Sequence, residues 1–128
     1  MTEFLTMQDL VRIACRVTGG RDAPVRDWGL LESAAARPRT SVFGADAYPT
    51  LHEKVAALTH SLARNHALLD GNKRLAFMAA FTMYAINGYD LDPPSPEEGD
   101  TFFRAVAQGD LEVDHIAKAF VLWTTPIR

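Results

Sequence analysis

Cysteine is almost missing from this chain: Cys15 is the one thiol among 128 residues. A single thiol can close neither an internal disulfide nor a thiolate zinc cluster, and a reducing, cytoplasmic setting is the one expected. Long hydrophobic runs are missing too. The longest charge-free apolar stretch in the candidate core, Leu75 to Ile86, spans twelve residues, against the ~20 that a membrane helix needs. The opening MTEFLTMQDL has no basic start, apolar run or small-residue cleavage site of a secretory signal. There is no basic excess: the formal charge is −3 and the pI is near 5.7. Non-specific binding to nucleic acid or anionic lipid is therefore not expected, and any anion site has to be built from local charge. Strand-like alternation of useful length, internal repeats and low-complexity linkers are also lacking.

What is present is 48% hydrophobic residues, enough at this length to bury a core without staples. Helical start and stop signals recur along the chain. Thr6 with Asp9 opens a helix over roughly 7–18 that Gly19 and Gly20 end, and Asp27 caps a second that stops before Pro38. Thr50 with Glu53 opens a third, with Leu51, Val55, Leu58 and Leu62 as its apolar stripe, running to about Asn65. Asn72 to Asn87 is apolar all round from Leu75 onward, the pattern of a buried helix, and Gly88 ends it. Ser95, Pro96 and Glu98 spell a further start, and the last helix is expected over Val113 to Trp123. Between Pro38 and Pro49 no period is visible, so an ordered loop or flap is expected there. The expected fold is all-α: one domain over residues 1–128, a compact helical bundle around a buried central helix.

Charge is uneven. Residues 88–114 hold eight acids (Asp90, Asp92, Glu97, Glu98, Asp100, Asp110, Glu112, Asp114) against Arg104, which reads as a solvated face with acids favouring helix N-termini. His52, His60 and His115 have no partner at metal-ligand spacing and read as non-catalytic; Arg64 complements a helix C-terminus. Met78, Phe81 and Met83 read as core, Cys15 as a small buried side chain, and Trp28 and Trp123 as partly buried packing.

The chemistry concentrates in His66 to Arg74, reading HALLDGNKR. Asp70-Gly71-Asn72 precedes the buried helix, whose first amides lack intrahelical partners and whose dipole favours an anion. Gly71 allows close approach and a positive φ. Lys73 adds a point charge and Arg74 a planar fork, about 100° apart on the helix, so a ligand that meets both lies across the helix end, as a nucleotide polyphosphate does. Asp70, the segment's one carboxylate, suits Mg²⁺ shared with phosphate oxygens, and His66 suits a general base. A lone histidine or a lone D-G-N is ordinary surface chemistry. The whole string before a buried helix is not.

The same residues resemble the Fic/Doc family, whose core pattern is H-x-F-x-D/E-G-N-x-R-x-x-R. This sequence presents His66, Leu68, Asp70, Gly71, Asn72 and Arg74, then Phe77 where the last arginine would stand and Lys73 where adenylylating members carry a second glycine. Both departures, with LLESAAARPRT, FGADAYPT and INGYDL, resemble the death-on-curing (Doc) branch. That resemblance implies a toxin of a toxin–antitoxin pair, a kinase that moves the γ-phosphoryl of ATP to a threonine of elongation factor Tu. It implies His66 as base, Asp70 on Mg²⁺, Gly71, Asn72, Lys73 and Arg74 on phosphates, and the Pro38 to Pro49 segment as a flap that pairs with target backbone. The alternatives are AMP transfer from the α-phosphate, against which Lys73 and Phe77 stand, and a non-catalytic module that docks a phosphate or acidic partner. The family's inhibitory motif, S/T-x-x-x-E-G/N, has only a misspaced look-alike at Ser95 to Gly99, so restraint is expected in trans from a small antitoxin with a disordered tail.

Overall fold

A computed structural model describes residues 1–20 and 22–128. The described residues form helices α1 (Met7–Thr18), α2 (Trp28–Ala36), α3 (Leu51–Arg64), α4 (Asn72–Ile86), α5 (Pro96–Gln108) and α6 (Val113–Trp123), with a 3₁₀ turn at Arg37–Arg39. The local start signals operate as expected. Thr6 and Asp9 close a capping box on α1, and Asp27, Thr50 and Ser95 accept the amides of Leu30, Glu53 and Glu98.

The helical bundle is centred on the α3–α4 pair. α3 is the more enclosed partner: Lys54 to Thr59 and Ser61 to Ala63 are all buried. α4 buries Leu75, Ala76, Ala79, Ala80, Met83 and Tyr84, while Phe77, Met78 and Phe81 are only half-buried. Small residues on both helices let the backbones approach, and Leu10, Leu31, Phe103, Val106, Ile116 and Phe120 close the shell from α1, α2, α5 and α6. Met83 is thus core as expected, whereas Met78 faces a cleft. Cys15 is half-buried rather than enclosed. Trp123 stacks edge-on against Phe102 at 4.7 Å, but Trp28 is 54% exposed, contrary to the packing expected of it.

Two antiparallel ribbons, absent from the sequence reading, complete the fold. β1 (Ser41–Val42) pairs with β2 (Ala45–Asp46), and β3 (Tyr89–Leu91) with β4 (Thr124–Pro126). At two or three residues each they are too short to show any alternation. The first makes the Pro38 to Pro49 flap a hairpin, turned by Phe43 and Gly44, both at positive φ. Phe43 stands fully exposed at its tip.

The base of the flap is held by two cations from the bundle. Lys54, buried within α3, donates from Nζ to the carbonyls of Tyr48 and Pro49 and to Asp46 Oδ2 at 3.1 Å. Arg37 reaches Tyr48 Oη, Ser61 Oγ and His60 Nδ1. A buried ammonium is tolerated only with such partners. Lys54→Met, which keeps the stem and removes the donors, should lower unfolding free energy by roughly 2 kcal/mol because two carbonyls lose their partner, read as a lower urea midpoint and faster proteolysis within the flap.

His52 Nδ1 lies 2.8 Å from the hydroxyl of buried Tyr84. Burial of His52 holds its pKa below the usual 6.5, so this site favours folding most above pH 6.5 and loses that contribution as pH falls below it. Between pH 7.5 and 5.5 the native protein should lose more stability than the His52→Asn variant in matched denaturation curves.

Candidate functional site

The connection from α3 to α4 is built by reaching backwards along the chain. Asn72, the first residue of α4, turns its side chain onto Leu68: Oδ1 accepts from Leu68 N and Nδ2 donates to Leu68 O, both at 3.0 Å. Val25 forms a β-bridge with Leu68, Leu69 N donates to Pro24 O, and Ala67 O accepts from the amides of Arg26 and Asp27. Leu68 itself is buried and serves as the anchor. Asn72, expected at the phosphates, therefore has its side chain committed to shaping the loop and offers an anion only its backbone amide.

Gly71 precedes the helix at φ 88, where a Cβ would also meet Thr18 Cγ2 at 2.9 Å. Glycine is required there on both counts. Beyond it the amides of Asn72, Lys73 and Arg74 have no backbone acceptor among the described residues, and α4 has no acid in its first turn. This is an open, electropositive helix end.

Two cations flank it. Lys73 Nζ is bonded to Asp100 Oδ1 from α5, and Asp100 Oδ2 accepts from Arg104 at 2.8 Å. Those two hydrogen bonds, Lys73 first, pull the Asp100 carboxyl down to about 2, so it stays ionised across the physiological range. Arg74 Nη1 donates to Val17 O at 2.7 Å and Nη2 lies 3.4 Å from Asp70 Oδ2. The Asp70 side chain is 83% exposed, so this loose pair leaves its oxygens open to another cation. Asp100 and Val17 were not singled out by sequence. Asp100 sits within the acid-rich stretch read as a solvated face, and its spacing from Lys73 gives no signal.

His66, Asp70, Gly71, Asn72, Lys73 and Arg74 line a single depression of about 300 Å³, so every sequence-predicted site residue comes together. His66 is exposed and left-handed, at φ 52. Its imidazole has no hydrogen-bond, ion-pair or ring partner among the described residues, which leaves both nitrogens available to a ligand. His52 and His60 have structural partners instead. His60, under the flap, has Arg37 at Nδ1 and Glu112 at 3.3 Å from Nε2, and burial first, then Arg37, pushes its pKa down. Arg64 packs on Gly109 and faces Glu112 at 3.9 Å.

A larger cleft of about 590 Å³ opens beside the depression and shares Lys73 and Arg74 with it. Its far wall is apolar: Phe77, Met78, Pro93, Pro96 and Phe103, with Phe77 edge-on to Phe103 at 5.3 Å.

Two comparisons bear on this arrangement. A family model described as Fic/DOC family matches residues 4–84, which contain α1 to α3, α4 as far as Tyr84, and the whole depression except Ala107. The protein named Toxin Doc of Mycolicibacterium smegmatis is 47% identical over 118 residues, which cover 91% of this chain and 90% of that protein. By the extent of both matches and by its helical bundle, the chain belongs to the Fic/DOC family.

Proposed function

We propose that this protein is a Doc-like toxin that transfers the γ-phosphoryl group of ATP to a threonine hydroxyl of a target protein, elongation factor Tu being the acceptor that the Doc resemblance implies. The observation that carries the γ assignment is the apolar wall at Phe77, Met78 and Phe103, next to the electropositive end of α4. Such a wall suits a nucleoside and gives a polyphosphate no compensation for desolvation. With the nucleoside on that wall, the phosphates run toward the free amides and the terminal one lies nearest His66.

The chemistry then needs little more than alignment and charge neutralisation. The threonine Oγ forms a bond to Pγ as the bond from Pγ to the bridging oxygen breaks, and ADP leaves with that electron pair. His66 takes the hydroxyl proton and returns it to solvent. The amides of Asn72 to Arg74 hold phosphoryl oxygens, and Lys73 and Arg74 meet the charge that spreads onto them. Asp70 fits Mg²⁺: its carboxylate is exposed, only loosely paired, and borders the phosphate cradle. Among the described residues no three His, Cys, Asp or Glu side chains gather into a metal cage, which suits an ion held jointly by one carboxylate and phosphate oxygens. Bound there, Mg²⁺ would supply further neutralisation of phosphate charge. The flap hairpin, with its exposed edge and Phe43, offers strand pairing to the target. A small antitoxin with a tail that folds on binding would hold the toxin in check.

The direct test mixes the protein, Mg²⁺ and elongation factor Tu with ATP labelled at either the γ- or the α-phosphate. Label from γ is expected, with a loss of at least ~100-fold in His66→Ala. Label from α would make the protein an AMP transferase, and label from neither would favour a binding module or another target. Phe77→Ala should raise KM for ATP about tenfold, the equivalent of ~1.4 kcal/mol of lost apolar contact, without changing which phosphate is transferred. An unchanged KM would put the nucleoside elsewhere.

A further inference from the structure

Arg26, in the loop before α2, lies forty residues from His66 in sequence and against it in space. Its guanidinium donates twice to the carbonyl of His66, from Nε at 2.9 Å and from Nη2 at 2.6 Å, and Nη2 also reaches the carbonyl of Asn65 at 3.4 Å. The backbone amide of Arg26 donates to the next carbonyl, Ala67 O, at 2.7 Å. Three consecutive carbonyls are thus held by one residue. The Asn65 carbonyl belongs to the peptide plane before the His66 Cα, and the His66 carbonyl to the plane after it. Fixing both planes fixes φ and ψ of His66 together.

That matters because His66 is at φ 52, a conformation unfavourable by about 1–2 kcal/mol for a residue with a Cβ, and because no side chain among the described residues orients its ring. Its ring has no partner among the described residues, in contrast to catalytic histidines held by a carboxylate at the second nitrogen. The direction of the Cα–Cβ bond, and with it the reach of the imidazole, is set by the backbone alone. Arg26 is exposed, and among the described residues no carboxylate lies within ion-pair distance of it, so its charge serves only these carbonyls at the C-terminal end of α3.

We propose that Arg26 is a positioning residue for His66: its two-pronged hold on the carbonyls of residues 65 and 66 keeps the left-handed backbone that aims the imidazole over the phosphate cradle. This role rests on the assignment of His66 as the base. Substitution of Arg26 removes the side-chain clamp and leaves the amide bonds to Ala67, so the fold is retained.

The test follows wild type, Arg26→Ala and Arg26→Lys in three measurements. In the transfer assay, Arg26→Ala should lower kcat by roughly ten- to a hundredfold, the cost of a displaced catalytic group, at unchanged KM for ATP. Arg26→Lys, with one donor nitrogen in place of the fork, should recover part of the loss. In ¹⁵N-histidine NMR, Arg26→Ala should move the His66 ring and amide signals and leave those of His52, His60 and His115 in place, with melting temperature lowered by no more than about a few degrees, the cost of the released clamp. A purely structural cap would instead disturb all four histidines together and lower kcat only in step with the folded fraction, and that pattern, or an unchanged kcat and His66 spectrum, overturns the proposal. If wild type transfers no label at all, the reaction assigned above fails, while the NMR comparison still decides whether Arg26 sets the geometry of His66.

Discussion

The short segment from Asn65 to Gly71 must leave one enclosed helix and start the next without stranding its own backbone. α3 is buried along most of its length, and the seven residues that follow it form no helix or strand of their own. The solution comes from outside the segment. Asn72 folds back to serve both polar groups of Leu68, and the stretch from Pro24 to Asp27 supplies or accepts the bonds of residues 65 to 69. Once Leu68 is pinned and buried, Ala67 and His66 precede it in a fixed path and Asp70 and Gly71 follow it. The direction of the histidine, the opening of the α4 amides and the depression between them all descend from that one anchoring.

Electrostatics sharpens what the backbone provides. α1, α3, α5 and α6 each carry an acid in the first turn to meet the helix dipole, whereas α4 begins Asn72, Lys73, Arg74. Two cations at a positive helix end oppose folding unless something negative arrives. Part of the relief is internal. Asp100 takes Lys73, and Asp70 stands near Arg74 together with the carbonyl of Val17. These contacts keep both cations directed along the rim shared by the depression and the larger cleft, so an anionic ligand meets charges that are already ordered and loses less side-chain entropy on binding. The remaining imbalance is what a phosphate would correct.

Much of this was legible in sequence, for a physical reason. Caps and stops act within four residues, so Thr6, Asp27, Thr50, Ser95 and Gly88 could be read locally, and the HALLDGNKR string is itself continuous. The features that escaped are those joined across long separations. Lys54 carries no local signal in the helical pattern and is the buried anchor of the flap. Asp100 reads as one acid among eight and is the partner of Lys73. Arg26 has no local pattern at all. The strands of both ribbons, two or three residues each, span hardly more than one period of alternation, and the pairing of β3 with β4 depends on the bundle bringing them together. The half-buried side of α4 was missed for another reason: an all-apolar helix looks the same in sequence whether its last face meets protein or lines a cleft.

The left-handed His66 shows how such a site trades stability against chemistry. Position 66 directly follows the C-cap of α3, a place where glycine is the common and unstrained choice. Glycine would satisfy the turn but carries no proton acceptor, and a histidine in an ordinary helical or extended conformation would send its ring along a different path from the loop. Keeping both the sharp turn and the imidazole therefore requires a residue that dislikes its backbone conformation, and the cost has to be offset by neighbours. The offset is visible as an exposed arginine spending its donors on carbonyls at a helix end, where a cation is also favoured by the dipole. The strain and the clamp are thus two sides of one requirement: an imidazole with no side-chain partner among the described residues can be aimed only through its own main chain.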